Sequence, residues 1–381
     1  MNFKIQNLVI VFLCLLTGWI GWSSYNYFFD IEEPQLVLRG LDRGQWCAGD
    51  VHCIVGSDKS GSISVWLDGQ PLINKFSMQS RDLEHDFVIP TKTIVNGEHN
   101  LKVEQVDGSY HKNKTELERS FYVDNTPLQA AFVRSESDFK VFQGRTLHLQ
   151  FQVSKEVANA TACALSSNYN CFPESKNSLV YECFIPITCE EQPNEYLIAV
   201  DIKDKVGNTL HLDNKFQIVA YPFKKTALQI SQDKMKEEKE LGKDSHQFKE
   251  ELEKIVQNSP KEKLWNGPFC TPIDVLKVTG EFGTIRTAQE KGRYAHKALD
   301  ITNAPKSVVW ASQDGTVALK DRFVYTGNTV VIDHGYGIVS IFCHLDDFAK
   351  INVGDTIAKG NPIGYIGKTG YANGYHLHWE M

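Results

Sequence analysis

Five side chains near the C-terminal end of this 381-residue chain have the types and spacing of a hydrolytic metal centre. His296 and Asp300 stand four apart, His344 closes the apolar run that begins at Ile338, and His376 and His378 bracket Leu377. Residues two apart on an extended strand share a face, so His376 and His378 point into one cleft while Leu377 points to the core. Zinc takes imidazole and carboxylate ligands at about 2.0–2.2 Å, and a catalytic site uses three of them and leaves a position for water. Two histidines and Asp300 meet that requirement and leave two histidines for proton transfer, because imidazole titrates near neutral pH. His334, inside Asp333–Gly335, reads as a turn or structural residue, and the histidines from His52 to His246 read as ordinary surface or strand residues.

Strands must position this set. From Phe269 onward the chain is rich in Gly, Val, Ile and Thr, with Val308–Ala311 running to an Asp314–Gly315 turn and out through Thr316–Leu319. Asn328–Ile332 and Ile338–His344 flank a second turn at Asp333–Gly337. No ten-residue helical stretch separates these runs, so the expectation is an antiparallel sheet rather than βαβ units. Upstream, residues 222–264 read as a helical linker. A charged helix spans Ser231–Glu240 and is broken at Gly242; a second is capped by Ser245, with Phe248, Leu252 and Ile255 at helical spacing until Asn258–Pro260. The narrow apolar stripe is expected to pack on a neighbour, and a sharper reading has this segment occluding the cleft.

Residues 31–221 read as short strands and turns, with a hairpin signal at Asp68–Gly69. Leu101–Val103 leading to Phe121–Val123 is echoed by Leu197–Val200 leading to Phe216–Val219, which suggests two β-sandwich modules, 31–127 and 128–221. The sequence up to residue 30 carries Lys4, then an uncharged run from Ile5 to Phe29, then Asp30, Glu32 and Glu33. That is long enough for a transmembrane helix with its N-terminus in the cytoplasm and an interfacial belt of Trp19, Trp22, Tyr25 and Tyr27; a cleaved signal peptide ending near Gly21–Ser23 is the rival. Either reading exports the rest. Six cysteines then fall as three local pairs, Cys47/Cys53, Cys163/Cys171 and Cys183/Cys189, suited to short-loop disulfides, although spacing alone leaves their connectivity open. Forty Lys and Arg against 47 Asp and Glu, a net charge of -7 with no basic stripe, argue against nucleic acid as a partner.

The blocks Phe282–Arg286, His296–Ile301, Gly327–Gly335, Phe342–Leu345, Val353–Asp355 and Gly367–Glu380 occur in the order seen in the lysostaphin/LytM-type zinc endopeptidases, and residues 265–381 resemble that family. Carried over by position, the resemblance implies Zn2+ held by His296, Asp300 and His378, with His344 and His376 orienting and deprotonating water and stabilising the oxyanion. It further implies hydrolysis of peptide cross-links in bacterial peptidoglycan, and D-amino-acid peptides rather than pentaglycine bridges. Tyr375 stands where the family usually has Pro, and the sequence stops two residues after Trp379, where family members usually continue through another strand. The modules at 31–221 resemble bacterial immunoglobulin-like domains and read as a spacer or an arm for envelope protein partners.

The resulting expectation is a mainly β protein: N-terminal transmembrane helix, two immunoglobulin-like modules, helical linker and C-terminal antiparallel peptidase sheet. It would sit in the bacterial inner membrane by a single pass with its bulk in the periplasm, acting on peptidoglycan peptides. The rival function is a non-catalytic regulator that binds and activates a cell-wall amidase; such family members usually lack the zinc ligands that are all present here.

Overall fold

A computed structural model describes residues 2–79, 83–134, 139–288 and 292–381, with the side chains of residues 2–10, 228, 245, 288 and 292 outside the description. Its elements are mainly strands. The N-terminal run forms one helix, α1, Asn2–Phe29. Among the described residues, however, no helix is long and apolar enough to cross a membrane, so the expected span is not supported. Thr17, Gly18, Gly21, Ser23, Ser24 and Asn26 dilute the described part of α1, and Leu8, Val9 and Ile10 of the apolar run lie outside the described side chains.

The chain divides into two compact units, residues 1–128 with 204–208 and residues 129–203 with 209–381. In the first, a three-stranded and a five-stranded sheet share one core that includes Val55, Ile89, Ile63, Val65, Leu101 and Phe121. Asp68 and Gly69, at φ 50° and 78°, make the tight turn between Gly61–Leu67 and Gln70–Met78 that the sequence announces. In the second unit, an eight-stranded path contains the echo seen in sequence: Glu195–Asp204 pairs with Thr209–Val219 as Gly97–Asp107 pairs with Lys114–Val123. Each terminal strand also carries a short parallel partner, Trp46–Cys47 in one case and Lys140–Phe142 in the other.

None of the three local cysteine pairs, Cys47/Cys53, Cys163/Cys171 and Cys183/Cys189, is joined in this structure, and strand register sets Cys163 and Cys171 apart. Cys163 faces outward, and the ladder places it opposite Asn168, whereas Cys171 is buried opposite Ala160. The register Phe172↔Glu182 instead sets Cys171 directly across from Cys183, which is also buried.

The C-terminal sheet carries the candidate site. Its strands are β2 (Lys277–Gly280), β5 (Leu299–Thr302), β6 (Gly315–Phe323), β7 (Gly327–Asp333), β8 (Val339–Phe348) and β9 (Leu377–Glu380), in the order β2-β5-β9-β8-β7-β6, and these neighbours pair antiparallel. A separate small sheet consists of β1 (Lys225–Leu228), β3 (Ile285–Ala288) and β4 (Gly292–Ala295). Val308–Trp310 does not hairpin onto β6 through Asp314–Gly315 as expected; it pairs with Pro362–Ile366, while β6 pairs with β7. One face of the sheet buries Ile301, Val330, Ile332, Phe342, Leu345 and Leu377. The opposite face buries Leu319, Phe323, Val331, Val339, Ile341 and Cys343.

Helix α2 (Gln232–Leu241) is capped by the Ser231 hydroxyl and ends at Gly242. Helix α3 (Ser245–Asn258) is capped by Asp244, which accepts from the His246 N–H, so the cap lies one residue before the expected Ser245. Phe248, Leu252 and Ile255 of α3 pack on that second apolar cluster, the neighbour that their spacing required. The second β module also packs on this domain, through the stacked rings of Phe172 and Tyr336, 4.1 Å apart, and the 2.7 Å ion pair of Lys263 with Glu182.

Candidate active site

Strand register brings the ligand candidates together. Asp300 on β5 lies directly opposite His378 on β9, and His378 lies opposite Cys343 on β8. Since directly opposed residues share a face, Leu377 enters the core while its neighbours His376 and His378 turn to the other side. His296 follows β4 and is clamped by its backbone: its N–H donates to Thr284 O at 2.9 Å, and its C=O accepts from the Gly283 N–H at 2.7 Å.

Three atoms then converge. His296 Nε2, His378 Nδ1 and Asp300 Oδ1 are separated by 3.0, 3.0 and 3.1 Å, within a cluster that is largely buried. Tetrahedral ligands with bonds of about 2.0–2.1 Å have edges of roughly 3.3 Å, so this triangle fits zinc with little adjustment. The donor chemistry fits as well. His296 Nδ1–H donates to the Glu281 carbonyl at 3.2 Å, which leaves Nε2 with a lone pair facing the Asp300 carboxylate oxygen. Two acceptors 3.0 Å apart are satisfied by a cation between them. Burial raises the Asp300 carboxyl, yet when the facing His296 and His378 nitrogens carry protons in place of an ion, their hydrogen bonds and charge outweigh burial and hold the group well below the usual carboxylate range.

The other two histidines adjoin this triangle. The His344 ring centre lies 4.8 Å from that of His376 and 5.7 Å from that of His378. His344 Nδ1–H donates to Thr369 O and His376 Nδ1–H donates to Gly374 O, both at 2.8 Å, so each ring keeps its lone pair on Nε2. Burial pushes both imidazoles down, His344 furthest, which keeps them neutral and able to accept a proton. His344 is aimed by a bulge: two residues, Cys343 and His344, oppose Thr329 between the pairs Asn328↔Leu345 and Val330↔Phe342. Its backbone has φ 62°, a conformation few side chains adopt.

Sequence reasoning assigned no role to Arg286, although it ends one of the quoted blocks. Its Nη2 donates to Asp300 Oδ2 at 2.5 Å, so the carboxylate presents Oδ1 to the triangle and Oδ2 to the guanidinium. Gly280 makes room for this pair, because a Cβ there would collide with both Asp300 Oδ2 and Arg286 Nη2. Thr369 supports His344 while its hydroxyl donates to Leu345 O at 2.7 Å. Tyr375 leaves the ligand geometry intact; its carbonyl accepts from the Thr302 hydroxyl at 2.7 Å. His334 is buried and bonded to Asp314 O and Ser340 Oγ, as befits a structural residue.

Residues 294–381 match the family model described as Peptidase family M23. The chain is 30% identical over 112 residues to peptidoglycan DD-endopeptidase ShyC of Vibrio cholerae, covering 29% of this chain and 26% of that protein. It is 34% identical over 85 residues to DD-carboxypeptidase/endopeptidase Mpg of Neisseria meningitidis, 22% of this chain and 19% of that one. The match thus spans about a quarter or less of these relatives' length. A crystal structure of a candidate peptidase M23 from Pseudomonas aeruginosa is similar with 19% identity and a TM-score of 0.45, covering 62% of this chain and 88% of that one. The segment that carries all five site residues, residues 294–381, is thus the part of this chain that matches Peptidase family M23.

Proposed function

We propose that the C-terminal domain is a zinc endopeptidase that hydrolyses peptide cross-links of bacterial peptidoglycan. The observation that carries this reading is the 3.0–3.1 Å triangle of His296 Nε2, Asp300 Oδ1 and His378 Nδ1 beside two neutral histidines. Those three side chains would hold the ion. Bound zinc supplies an acidified water and a polarised carbonyl. The remaining chemistry belongs to the chain: Nε2 of His344 or His376 accepts the proton of the attacking water and returns it to the leaving amine. Between these two transfers the protonated ring donates to the developing oxyanion. Anchoring of both Nδ1–H groups to backbone carbonyls keeps these rings oriented through the cycle. A regulator that only recruits an amidase needs none of these five groups in register.

The similarity to peptidoglycan DD-endopeptidases supports the substrate class. The setting is proposed to be the periplasmic side of the inner membrane, with α1 as a tether, because Phe12, Leu15, Trp19 and Trp22 of α1 are all more than half exposed. Purified protein from Ile31 onward should bind one zinc and release muropeptides from peptidoglycan, and His378→Ala should lose both. Stoichiometric zinc without release from any peptidoglycan would refute the hydrolase reading.

A further inference from the structure

A short seam runs through the second β module. In its eight-stranded path, Val157–Ala164, Ser167–Pro173, Val180–Pro186 and Thr146–Val153 lie in that order. The flanking ladders are long, from Ala160↔Cys171 to Ala164↔Ser167 on one side and from Thr146↔Pro186 to Gln152↔Val180 on the other. Between them, Ser167–Pro173 and Val180–Pro186 meet through Phe172↔Glu182 and Pro173↔Tyr181, and Pro173 has no N–H for the ladder. Each side of this seam carries a docking residue. Phe172 stacks on Tyr336 with ring centres 4.1 Å apart and meets Trp265 edge-on at 5.7 Å. Glu182 accepts from Lys263 and His148 at 2.7 and 2.8 Å.

Cys171 and Cys183 adjoin these two residues on the opposite face of the sheet. The Glu174 N–H donates to Val180 O at 2.9 Å, which makes 174 and 180 a hydrogen-bonded pair. Counting back along the same register, 172 and 182 are the next such pair, and 171 and 183 fall at a non-hydrogen-bonded position. Opposed residues of that kind have Cα atoms about 4.5 Å apart, inside the window of about 4.4–6.8 Å that a disulfide spans. Both side chains are buried, and contact with the Cys171 thiol, then burial, pushes the Cys183 thiol far up. The other cysteines of the module are placed differently. Cys163 is exposed opposite Asn168, three positions along the ladder from Cys171, a separation of about 10 Å that a disulfide does not bridge. Cys189 Sγ lies against Gly144 beside the rings of Phe223 and Phe282.

We propose that Cys171 and Cys183 are joined by a disulfide that staples this seam and so holds Phe172 and Glu182 in register for Tyr336 and Lys263. The oxidant is an external disulfide, of a folding catalyst or of a small thiol. One cysteine thiolate attacks it to form a mixed disulfide, and the second displaces the remaining sulfur. The new S–S bond replaces the oxidant's, whose two sulfurs leave as thiols carrying two electrons and two protons. A buried thiol held protonated is a poor nucleophile, so the bond forms before the sheet closes and is afterwards shielded from reductants. It requires neither metal nor peptidase activity, and therefore stands or falls apart from the function proposed above.

The test uses the full chain, folded with oxidised and reduced glutathione, then unfolded without reductant, alkylated, digested and fragmented in a mass spectrometer. Cys171 should resist alkylation and be found linked to Cys183, in wild type and in C163S/C189S alike. Closing a loop of about a dozen residues should place the oxidised Tm about 5–15 °C above that in dithiothreitol, and C171A/C183A should lose most of that difference. Reduction should also raise amide exchange at residues 171–183 and 333–337 together, because the docking partners depend on the same seam. Free thiols at both positions, or linkage of either to Cys163 or Cys189, would overturn the pairing. A linked pair whose reduction changes Tm and exchange no more in wild type than in C171A/C183A would overturn the staple. Should C171A/C183A fail to fold, linkage in wild type and in C163S/C189S decides alone.

Discussion

Arg286→Ala isolates a contact that lies one shell away from the proposed ion. The guanidinium takes Asp300 Oδ2 at 2.5 Å with only 15% of the Arg286 side chain exposed, and Oδ1 is left for the triangle. Removing such an orienting partner lowers metal affinity about 10–100-fold, which is about 1.4–2.8 kcal/mol. The loss should be smaller than that of His378→Ala, because all three donor atoms remain. It should also appear in stability, since ligand binding stabilises the folded state in proportion to ln(1 + [L]/Kd), and each tenfold weakening removes about 1.4 kcal/mol at saturating zinc. Arg286→Lys keeps a charge but not the planar fork, so it should fall between wild type and alanine. The assay is competition with a chromophoric zinc chelator, paired with thermal unfolding in the apo and loaded forms. Unchanged zinc affinity in a folded Arg286→Ala protein would refute the positioning role. A loss equal to that of His378→Ala would show that the arginine maintains the whole site, not the carboxylate alone.

Three further outcomes follow from the geometry. His344→Ala and His376→Ala should each retain zinc yet lower turnover about 10²–10⁴-fold, the usual range for a proton-transfer group; loss of zinc from either variant would contradict the assignment. Gly280→Ala should abolish zinc binding in a protein with wild-type secondary structure by circular dichroism, because its Cβ would displace Asp300 and Arg286 together. Buried Glu182 accepts from His148 and Lys263; burial raises its carboxyl, but these partners outweigh it and hold the group below the ordinary carboxylate value. That contribution is complete above the ordinary carboxylate pKa of about 4.3 and is lost as pH falls through the lower folded value, so Glu182→Gln should flatten the acid limb of a Tm-against-pH curve.

Periodicity and turn chemistry reveal much of this fold because they are local. Asp68–Gly69 reports its own hairpin, and the 248/252/255 spacing reports an apolar face on α3 before its partner is known. What fails is non-local. Val308–Trp310 has the composition of a hairpin arm, yet its partner is Pro362–Ile366, some fifty residues away, and no short-range signal encodes that choice. The cysteines repeat the lesson: nearness in sequence suggested Cys163 with Cys171, but strand pleat turns one outward and the other inward, and register brings Cys183 across instead. In the site, the five residues were visible from their types and spacing, whereas Arg286 and Gly280 were not. An arginine and a glycine acquire a role only when the hairpin of β3 and β4 folds back over β5.

The same contrast explains why the site divides into a rigid part and a strained part. Asp300 and His378 are fixed by ladder register, since slipping either strand by one residue would turn the side chain into the core. His344 has no such guarantee: it occupies a bulge with φ 62°, stabilised by its N–H to Thr326 O at 2.8 Å and its ring to Thr369 O. A conformation of this kind costs of order 1–3 kcal/mol and persists only where its surroundings over-determine it. Gly327, at φ 63°, packs so closely on Thr369 that no side chain could fit there, and this contact draws the Thr326–Gly327 turn and the Thr369 loop together around the histidine. Asp300 and His378 are thus held by the sheet and His296 by its backbone bonds to Thr284 and Gly283, whereas His344 is held by two loops that must close on each other, so substitutions at Gly327 or Thr369 bear on turnover before they bear on the metal.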